Sequence, residues 1–427
     1  MSPKKEVKKI KFKLWQRNLA LLNIGSKAAG FALQKLLTSK KPSAKAFLKI
    51  TEEFSELKGS LMKAGQLLSI YGESFLPEEA IKLLSSLQDQ SSYLRFRSLK
   101  KSLSKKDQLK LEGFSIKDKP FASASIGQVH LGIIDDTEYA IKIQYPDIAK
   151  SIDSDLFVLK MLFTTFKVLP KKLQLSELFE QIKKMLLREI NYELERKSQA
   201  IYYKELKDDF NIPKVVAKYS SKKVLVSSYL PGTHIDEINE GDLLTQKQRN
   251  DLGESLLNLL LSELFVIQII QTDPNPANFK IDLEEQKWIL YDFGACIEVD
   301  DELKENYFKM IQALMKFSKK HVLNAFELIG VYEKGDPVEY ENALLEYAKV
   351  VAEVFEEETF HWADNDVEKR LIQLGRKLLI EFPRKNPPFD TVFIDRKISG
   401  TFYLLKKLKA ETQTLKIFRN FFKDINK

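Results

Sequence analysis

Residues 271–294 read QTDPNPANFKIDLEEQKWILYDFG. Asp273 is followed five positions later by Asn278, and then by a short apolar run, Trp288–Tyr291, that ends in Asp292-Phe293-Gly294. Phosphoryl transfer needs a carboxylate near the attacking oxygen, and an amide oxygen with a second carboxylate to hold Mg²⁺ against phosphates. A D-x₄-N element, a hairpin and a DFG triplet supply those groups in that order. Taken singly, DFG is a common tripeptide and Asp-Pro-Asn-Pro an ordinary turn. Their succession, with a strand between them, favours the phosphoryl-transfer reading.

Upstream, residues 138–144 (EYAIKIQ) alternate, which puts Tyr139, Ile141 and Ile143 on one strand face and Ala140 and Lys142 on the other. This strand follows PFASASIGQVHLG (residues 120–132), a strand–turn–strand pattern with small residues at the turn. A lysine strand about a dozen residues after a small-residue loop is how kinases present an ammonium to the α- and β-phosphates. The pattern from 176 to 206 predicts one long charged helix bearing Glu189, Asn191, Glu193 and Glu195. A kinase needs one such glutamate to fix the strand lysine, although carboxylates on a helix are usually a solvated face. Strand-like runs follow (PKVVAKY, KVLVSSYL), and Pro231-Gly232 marks a turn between lobes. The rest is mostly helical, closing on a basic helical region over 394–425. Near the N-terminus, SELKGSLMKAGQLLSIY (55–71) has Leu57, Leu61, Ala64 and Leu68 on one helical stripe, with Lys63 and Gln66 as neighbours on another face. Spacing alone favours an ordinary amphipathic helix with solvated lysines.

Composition narrows the classes. The chain has 427 residues, 44% hydrophobic and 30% charged, which suits about two or three globular domains. The single cysteine, Cys296, excludes a disulfide framework and a cysteine metal cluster, and the four histidines show no ligand spacing. The net charge of +8 could serve nucleic acid, but no nucleic-acid module is present. An anionic membrane surface suits it better, because Ile10, Phe12, Leu14 and Trp15 lie among the N-terminal lysines. A plain solvated lysine surface fits equally well. No cleavable signal or membrane span is expected: Leu19–Leu37 is interrupted by polar residues, and 256–270 reads as a buried core helix.

Assembled, these residues resemble the UbiB/ADCK (AarF-like) family of atypical protein-kinase-like proteins over nearly the whole chain. Lys63-Ala64-Gly65-Gln66 is similar to the family's KxGQ signature. The segment Ala122, Ser123, Ala124, Ser125, Ile126, Gly127 resembles its alanine-rich nucleotide loop, Lys142 its phosphate-binding lysine, and QTDPNPAN…DFG its catalytic and metal-binding segments. The resemblance implies an α+β, bilobal protein-kinase-like fold with an N-terminal helical extension lying across the active site. The expected domains are that extension (1–111), a kinase-like N-lobe (112–232) and a mostly helical C-lobe (233–427). It further implies that Glu195 pairs with Lys142, that Asp273 orients water or an acceptor, and that Asn278 and Asp292 hold Mg²⁺ on bound ATP. Glu189 and Asn191 fall on the ExD motif that meets the KxGQ residues Lys63, Gly65 and Gln66. The second acidic position is Asn here, and an amide can accept a hydrogen bond from Lys63 but carries no charge.

No His-Arg-Asp triplet precedes Asn278, and the loop has one glycine where a GxGxxG loop has three, so fewer positions can take φ > 0. The implied activity is slow ATP hydrolysis supporting isoprenoid-quinone (ubiquinone) biosynthesis at a membrane, not protein phosphorylation in trans. Two alternatives stand beside it: a non-catalytic nucleotide- and lipid-binding scaffold, and a true small-molecule or protein phosphotransferase. The implied partners are an isoprenoid-quinone precursor or other lipid, an anionic membrane surface and quinone-biosynthesis proteins, with a homodimer allowed and no nucleic acid. The expected location is peripheral, at the cytoplasmic face of a bacterial inner membrane, with the mitochondrial matrix as second choice.

Overall fold

Alternating apolar residues through GQVHLGII and TEYAIKIQ make the antiparallel pair on which the first half of the chain is built. The computed structural model describes residues 61, 63–65, 67, 93–123, 126–166, 175–382 and 388–425. The chain falls into two units, one of residues up to Arg196 with Lys214–Tyr229, the other of Lys197–Pro213 with Leu230 onwards. Residues 197–213, expected in the N-lobe, thus belong to the second unit.

In the first unit, from residue 93 on, the described chain forms helices α1 (Phe96–Ser102) and α2 (Lys105–Lys110). Its five-stranded sheet holds β1 (Ser115–Ile116), β2 (Ala122–Ser123), β3 (Gly127–Ile134), β4 (Thr137–Gln144) and β5 (Val224–Ser228). Both β1 and β2 pair with β3, and the order runs on through β4 to β5, antiparallel throughout. Asp135 and Asp136 join β3 to β4 with φ of 47° and 56°. Positive φ at both central residues matches the twist of a tight hairpin, and aspartate tolerates it. Ile141, Ile143, Val224 and Val226 form a core with Leu99, Leu103 and Leu111, so the face opposite Lys142 is the buried one.

Helices α3 (Ile148–Phe166), α4 (Leu175–Glu189) and α5 (Tyr192–Leu206) follow β4. The single helix expected over 176–206 is therefore two. The break lies at Ile190-Asn191, where Asn191 Oδ1 accepts the Glu193 N–H at 3.2 Å and the Asn191 carbonyl accepts the Leu194 N–H at 2.9 Å. Asparagine competes well for such a capping position, and helical periodicity does not register it. The run PKVVAKY is not a strand either; Ala217–Tyr219 forms a 3₁₀ turn beside β5.

In the second unit α6 (Ile235–Gly241) precedes α7 (Gln246–Ser262), which starts at a Thr245/Gln248 capping box. The core helix expected over 256–270 stops at Ser262. It continues as a π turn, Glu263–Ile267, and Gln268 then takes φ of 52° into β6 (Ile269–Gln271). The cause is tertiary: β6 pairs with β9 (Cys296–Glu298), far along the chain. Between them β7 (Phe279–Asp282) and β8 (Lys287–Leu290) form a hairpin.

Helices α8 (Asp301–Lys316), α9 (Lys319–Leu328) and α10 (Val338–Ala352) are followed by β10 (Phe360–His361), α11 (Val367–Glu381) and α12 (Phe389–Leu408). The expected basic helical region over 394–425 is helical on both sides of a short break. Lys409 turns left-handed (φ 57°), β11 (Glu411–Thr412) pairs with β10, and α13 (Thr414–Asp424) begins anew. Among the described residues no helix is long and apolar enough to cross a membrane.

Candidate active site

In the first unit, Lys142 lies opposite Val129 in the β3–β4 register. Its Nζ is 2.6 Å from Glu195 Oε1, with the two side chains 14% and 2% exposed. The ammonium also sits 5.2 Å from the centroid of the Tyr192 ring, within cation–π range. Both partners come from the first turn of α5, so the cap at Asn191 sets where this glutamate stands.

Leu61, Ala64 and Leu67 are buried, and so are Gly65 and Lys63. A buried ammonium is costly unless paired, and Lys63 Nζ lies 2.7 Å from Glu189 Oε1 at the end of α4. Burial at 5% exposure is incompatible with the solvated lysine of an ordinary amphipathic helix. Gln66 lies outside the described residues. Asn191 was expected to accept from Lys63; its side-chain oxygen is instead used by the Glu193 N–H, because an α-helix start leaves amides that need acceptors.

Ala122 and Ser123 of the loop form β2, and Ala124 and Ser125 lie outside the described residues. The Ile126 side chain serves the core, packed with Ile148, Tyr192 and Leu225. Gly127 is required for close approach rather than for a left-handed backbone: an added Cβ would meet the Tyr192 hydroxyl at 2.5 Å and the Ile143 carbonyl at 2.6 Å. Gln128 and His130 are structural. Gln128 exchanges two hydrogen bonds with the Leu94 backbone (2.5 and 3.0 Å) and donates to His130 Nε2 at 2.8 Å. The His130 Nδ1–H then donates to the Lys117 carbonyl at 2.8 Å. Burial lowers the His130 pKa, which keeps the ring in this neutral tautomer.

In the second unit residues 272–278 run from β6, which is paired with β9, into the β7–β8 hairpin. Thr272 donates its N–H and its hydroxyl to the Ala295 carbonyl, each at 2.8 Å. Asn275 Oδ1 caps a 3₁₀ turn, Pro276–Asn278. The Asp273 carbonyl accepts from Gln271 Nε2 at 2.8 Å and from Asn278 Nδ2 at 3.0 Å, which turns the acceptor oxygen of Asn278 away from the loop. Asp292 stands two residues beyond the end of β8, and its Oδ1 accepts the Gly294 N–H at 3.0 Å. Phe293 is buried against Tyr202, with ring centroids 4.9 Å apart.

Several buried residues behind this stretch have no counterpart in the motifs. Lys397 Nζ is 2.7 Å from Glu263 Oε2, and both are almost fully buried. Burial pushes the Glu263 carboxyl up, and the Lys397 charge acts against that. Tyr202 donates to Glu263 Oε1 at 2.9 Å and accepts the Gln271 N–H at 3.0 Å. Burial likewise raises the Cys296 thiol, so it is an inert packing residue. Arg396 reaches Asp273 Oδ1 at 3.1 Å. The one signal in the sequence was Asp395-Arg396-Lys397, three adjacent charges flanked by the apolar residues Val392, Phe393, Ile394 and Ile398.

In the second unit the donor chemistry of Asn278 and Asp292 suits a divalent cation. One carboxylate and one amide oxygen, both hard ligands, suit a Mg²⁺ that keeps water and phosphate in its remaining positions. Among the described residues no group of three or more His, Cys, Asp or Glu could hold a metal by protein ligands alone. In the first unit, taken by itself, the Lys142 ammonium and the buried Ser123 Oγ, which lacks a hydrogen-bond partner, are groups that suit an anion such as phosphate.

Residues 86–326 match the family model of the ABC1 atypical kinase-like domain. The chain is 30% identical over 399 residues to the probable serine/threonine-protein kinase abkA of Dictyostelium discoideum, covering 87% of this chain and 70% of that protein. It is 29% identical over 414 residues to the mitochondrial atypical kinase COQ8 of Saccharomyces cerevisiae, covering 93% and 82%. An uncharacterised Synechocystis protein, sll1770, is 27% identical over 322 residues, covering 72% of this chain and 53% of its own. The solved structure of Mycobacterium tuberculosis Rv3197 with erythromycin superposes with a TM-score of 0.55 at 24% identity, over 94% and 97% of the two chains. That likeness shows a shared fold.

Proposed function

The chain belongs to the ABC1 atypical kinase-like family, and on that premise we propose that it binds Mg·ATP and hydrolyses it slowly in support of isoprenoid-quinone biosynthesis at a membrane. The observation that carries the reading is the 2.6 Å Lys142–Glu195 pair, which kinase-type phosphoryl transfer requires and a purely structural sheet does not. Lys142 and Ser123 would meet the phosphate oxygens of bound ATP, and Asn278 and Asp292 would hold Mg²⁺. The cation would neutralise charge as the terminal phosphoryl group departs. Asp273 orients the attacking water.

The quinone assignment rests on the UbiB/ADCK resemblance, and the kinase names of the relatives support the phosphoryl-transfer class. Lys63, drawn into a buried pair with Glu189, supports the departure from protein phosphorylation in trans, since ordinary kinases have no such element. The partners of this reading are a quinone precursor or other lipid and an anionic membrane, approached peripherally from the cytoplasmic face of a bacterial inner membrane.

The test is a thermal-shift titration with Mg·ATP alongside ATP turnover, with and without anionic liposomes and a phenolic quinone precursor. A ligand that binds only the folded state raises its melting temperature. Wild type should show that rise and a slow turnover that the additions increase, and Asp292→Asn should lose both. An undiminished shift in Asp292→Asn would remove the metal-ligand assignment.

A further inference from the structure

Helix α12 reaches the catalytic stretch at two places one turn apart. At the first, the Arg396 guanidinium spans two groups: its NH2 donates to Asp273 Oδ1 at 3.1 Å and its NH1 to the Thr272 carbonyl at 3.0 Å. At the second, Gly400 lies against Pro274 so closely that an added Cβ would fall 2.1 Å from Pro274 Cγ and 2.3 Å from its Cβ. The helix itself is anchored by the buried Lys397–Glu263 pair and by Phe393 and Ile394, all but excluded from solvent.

We propose that Arg396 is a positioning residue for Asp273, fixing the carboxylate and the peptide before it as one unit so that Asp273 can orient the attacking oxygen. The proposal rests on the role given to Asp273 above. A planar fork with two donors fixes direction as well as distance, which a point charge cannot do. Asp273 is only 7% exposed, so the direction of its side chain must be fixed by protein partners rather than by solvent. Arg396 meets that need through Oδ1, which leaves Oδ2 to meet an acceptor. Gln271 and Asn278 hold the Asp273 carbonyl from the other side. Gly400 is the packing half of the device, because only a residue without Cβ lets α12 bring the guanidinium this near.

Two variants test it, Arg396→Gln and Arg396→Lys, each measured by steady-state ATP turnover and by hydrogen exchange. A small misplacement of a catalytic group costs up to about a hundredfold in rate. In Arg396→Gln we expect kcat to fall about ten- to a hundredfold while KM for ATP stays within about twofold, the mark of an interaction used after binding. Arg396→Lys should recover part of the loss, since an ammonium cannot bridge both acceptors. In the Asp273→Asn background, Arg396→Gln should cost nothing further.

Exchange is read at the amides of Thr272, Ala277 and Asn278, which are hydrogen-bonded within or beside the loop. They should exchange faster in Arg396→Gln while the β7–β8 amides keep their protection. Wild-type exchange at those three amides, or equal loss of protection in β7–β8, would overturn the proposal. So would a rise in KM that accounts for the whole loss of activity. The exchange result decides the matter even for a wild-type chain that turns over no ATP, so failure of the functional reading and failure of this one are separable.

Discussion

Glu189 and Glu195 stand on either side of one helix break; the first takes the buried Lys63 and the second the mostly buried Lys142. Solvent does not screen such pairs well, so removing one partner leaves an uncompensated charge costing about 3–5 kcal/mol. Lys63→Met should therefore destabilise the first unit by that order, and Glu189→Gln similarly. The double variant should recover part of the sum, because the two side chains are one interaction. Urea unfolding of the four proteins measures it, and costs that simply add would mean the 2.7 Å pair contributes nothing. Nucleotide binding should persist in Lys63→Met, since Lys142, Asn278 and Asp292 are untouched. At this scale Lys142 was legible because strand alternation and the preceding loop mark it. Arg396 was not, because its meaning lies in a carboxylate 123 positions away.

The elements depart from their expected lengths where a local hydrogen bond or a distant strand competes with the helix. The α4–α5 break is the one that matters to the site, because it places Glu195 on the first turn of α5. Asn191 holds that break by capping. Asn191→Ala should cost about 1 kcal/mol, the usual worth of a helix cap. Asn191→Asp should be neutral or stabilising by up to about 1 kcal/mol, since a carboxylate is favoured at a helix N-terminus. Denaturant unfolding of both variants in wild-type and Lys63→Met backgrounds checks this. If the gain from Asn191→Asp vanished in Lys63→Met, the side chain would be answering Lys63 rather than the α5 amides. The π turn at Glu263–Ile267 belongs with this break: widened turns recur at functional sites, and this one carries Glu263 to Lys397 and Tyr202.

For the whole molecule, the net charge of +8 and the lysines among Ile10, Phe12, Leu14 and Trp15 predict electrostatic attraction to an anionic surface; this N-terminal segment lies outside the described residues. A lysine near such a surface contributes roughly 1 kcal/mol at physiological ionic strength, and salt weakens it within a Debye length. Sedimentation with vesicles should rise with their anionic lipid fraction and fall as salt increases. It should drop further when Lys8, Lys9 and Lys11 are replaced by Gln. Equal binding to neutral and anionic vesicles at every salt concentration would leave the charge as an ordinary solvated surface.

The order of motifs, the β3–β4 hairpin, the lysine strand and the Asp273-to-Gly294 stretch were determined by the sequence, because each rests on patterns that repeat within a few residues. Tertiary structure alone decided the burial of Lys63, the pairing of β6 with β9 and of β10 with β11, and the reach of Arg396 to Asp273 and of Lys397 to Glu263. The physical reason is the same in each case. A strand needs a partner for its amides and a buried charge needs its counter-charge, and in this chain those partners lie tens to more than a hundred residues away. Periodicity reports which face of an element is apolar; only the folded chain supplies what that face, or the charge beside it, finally meets.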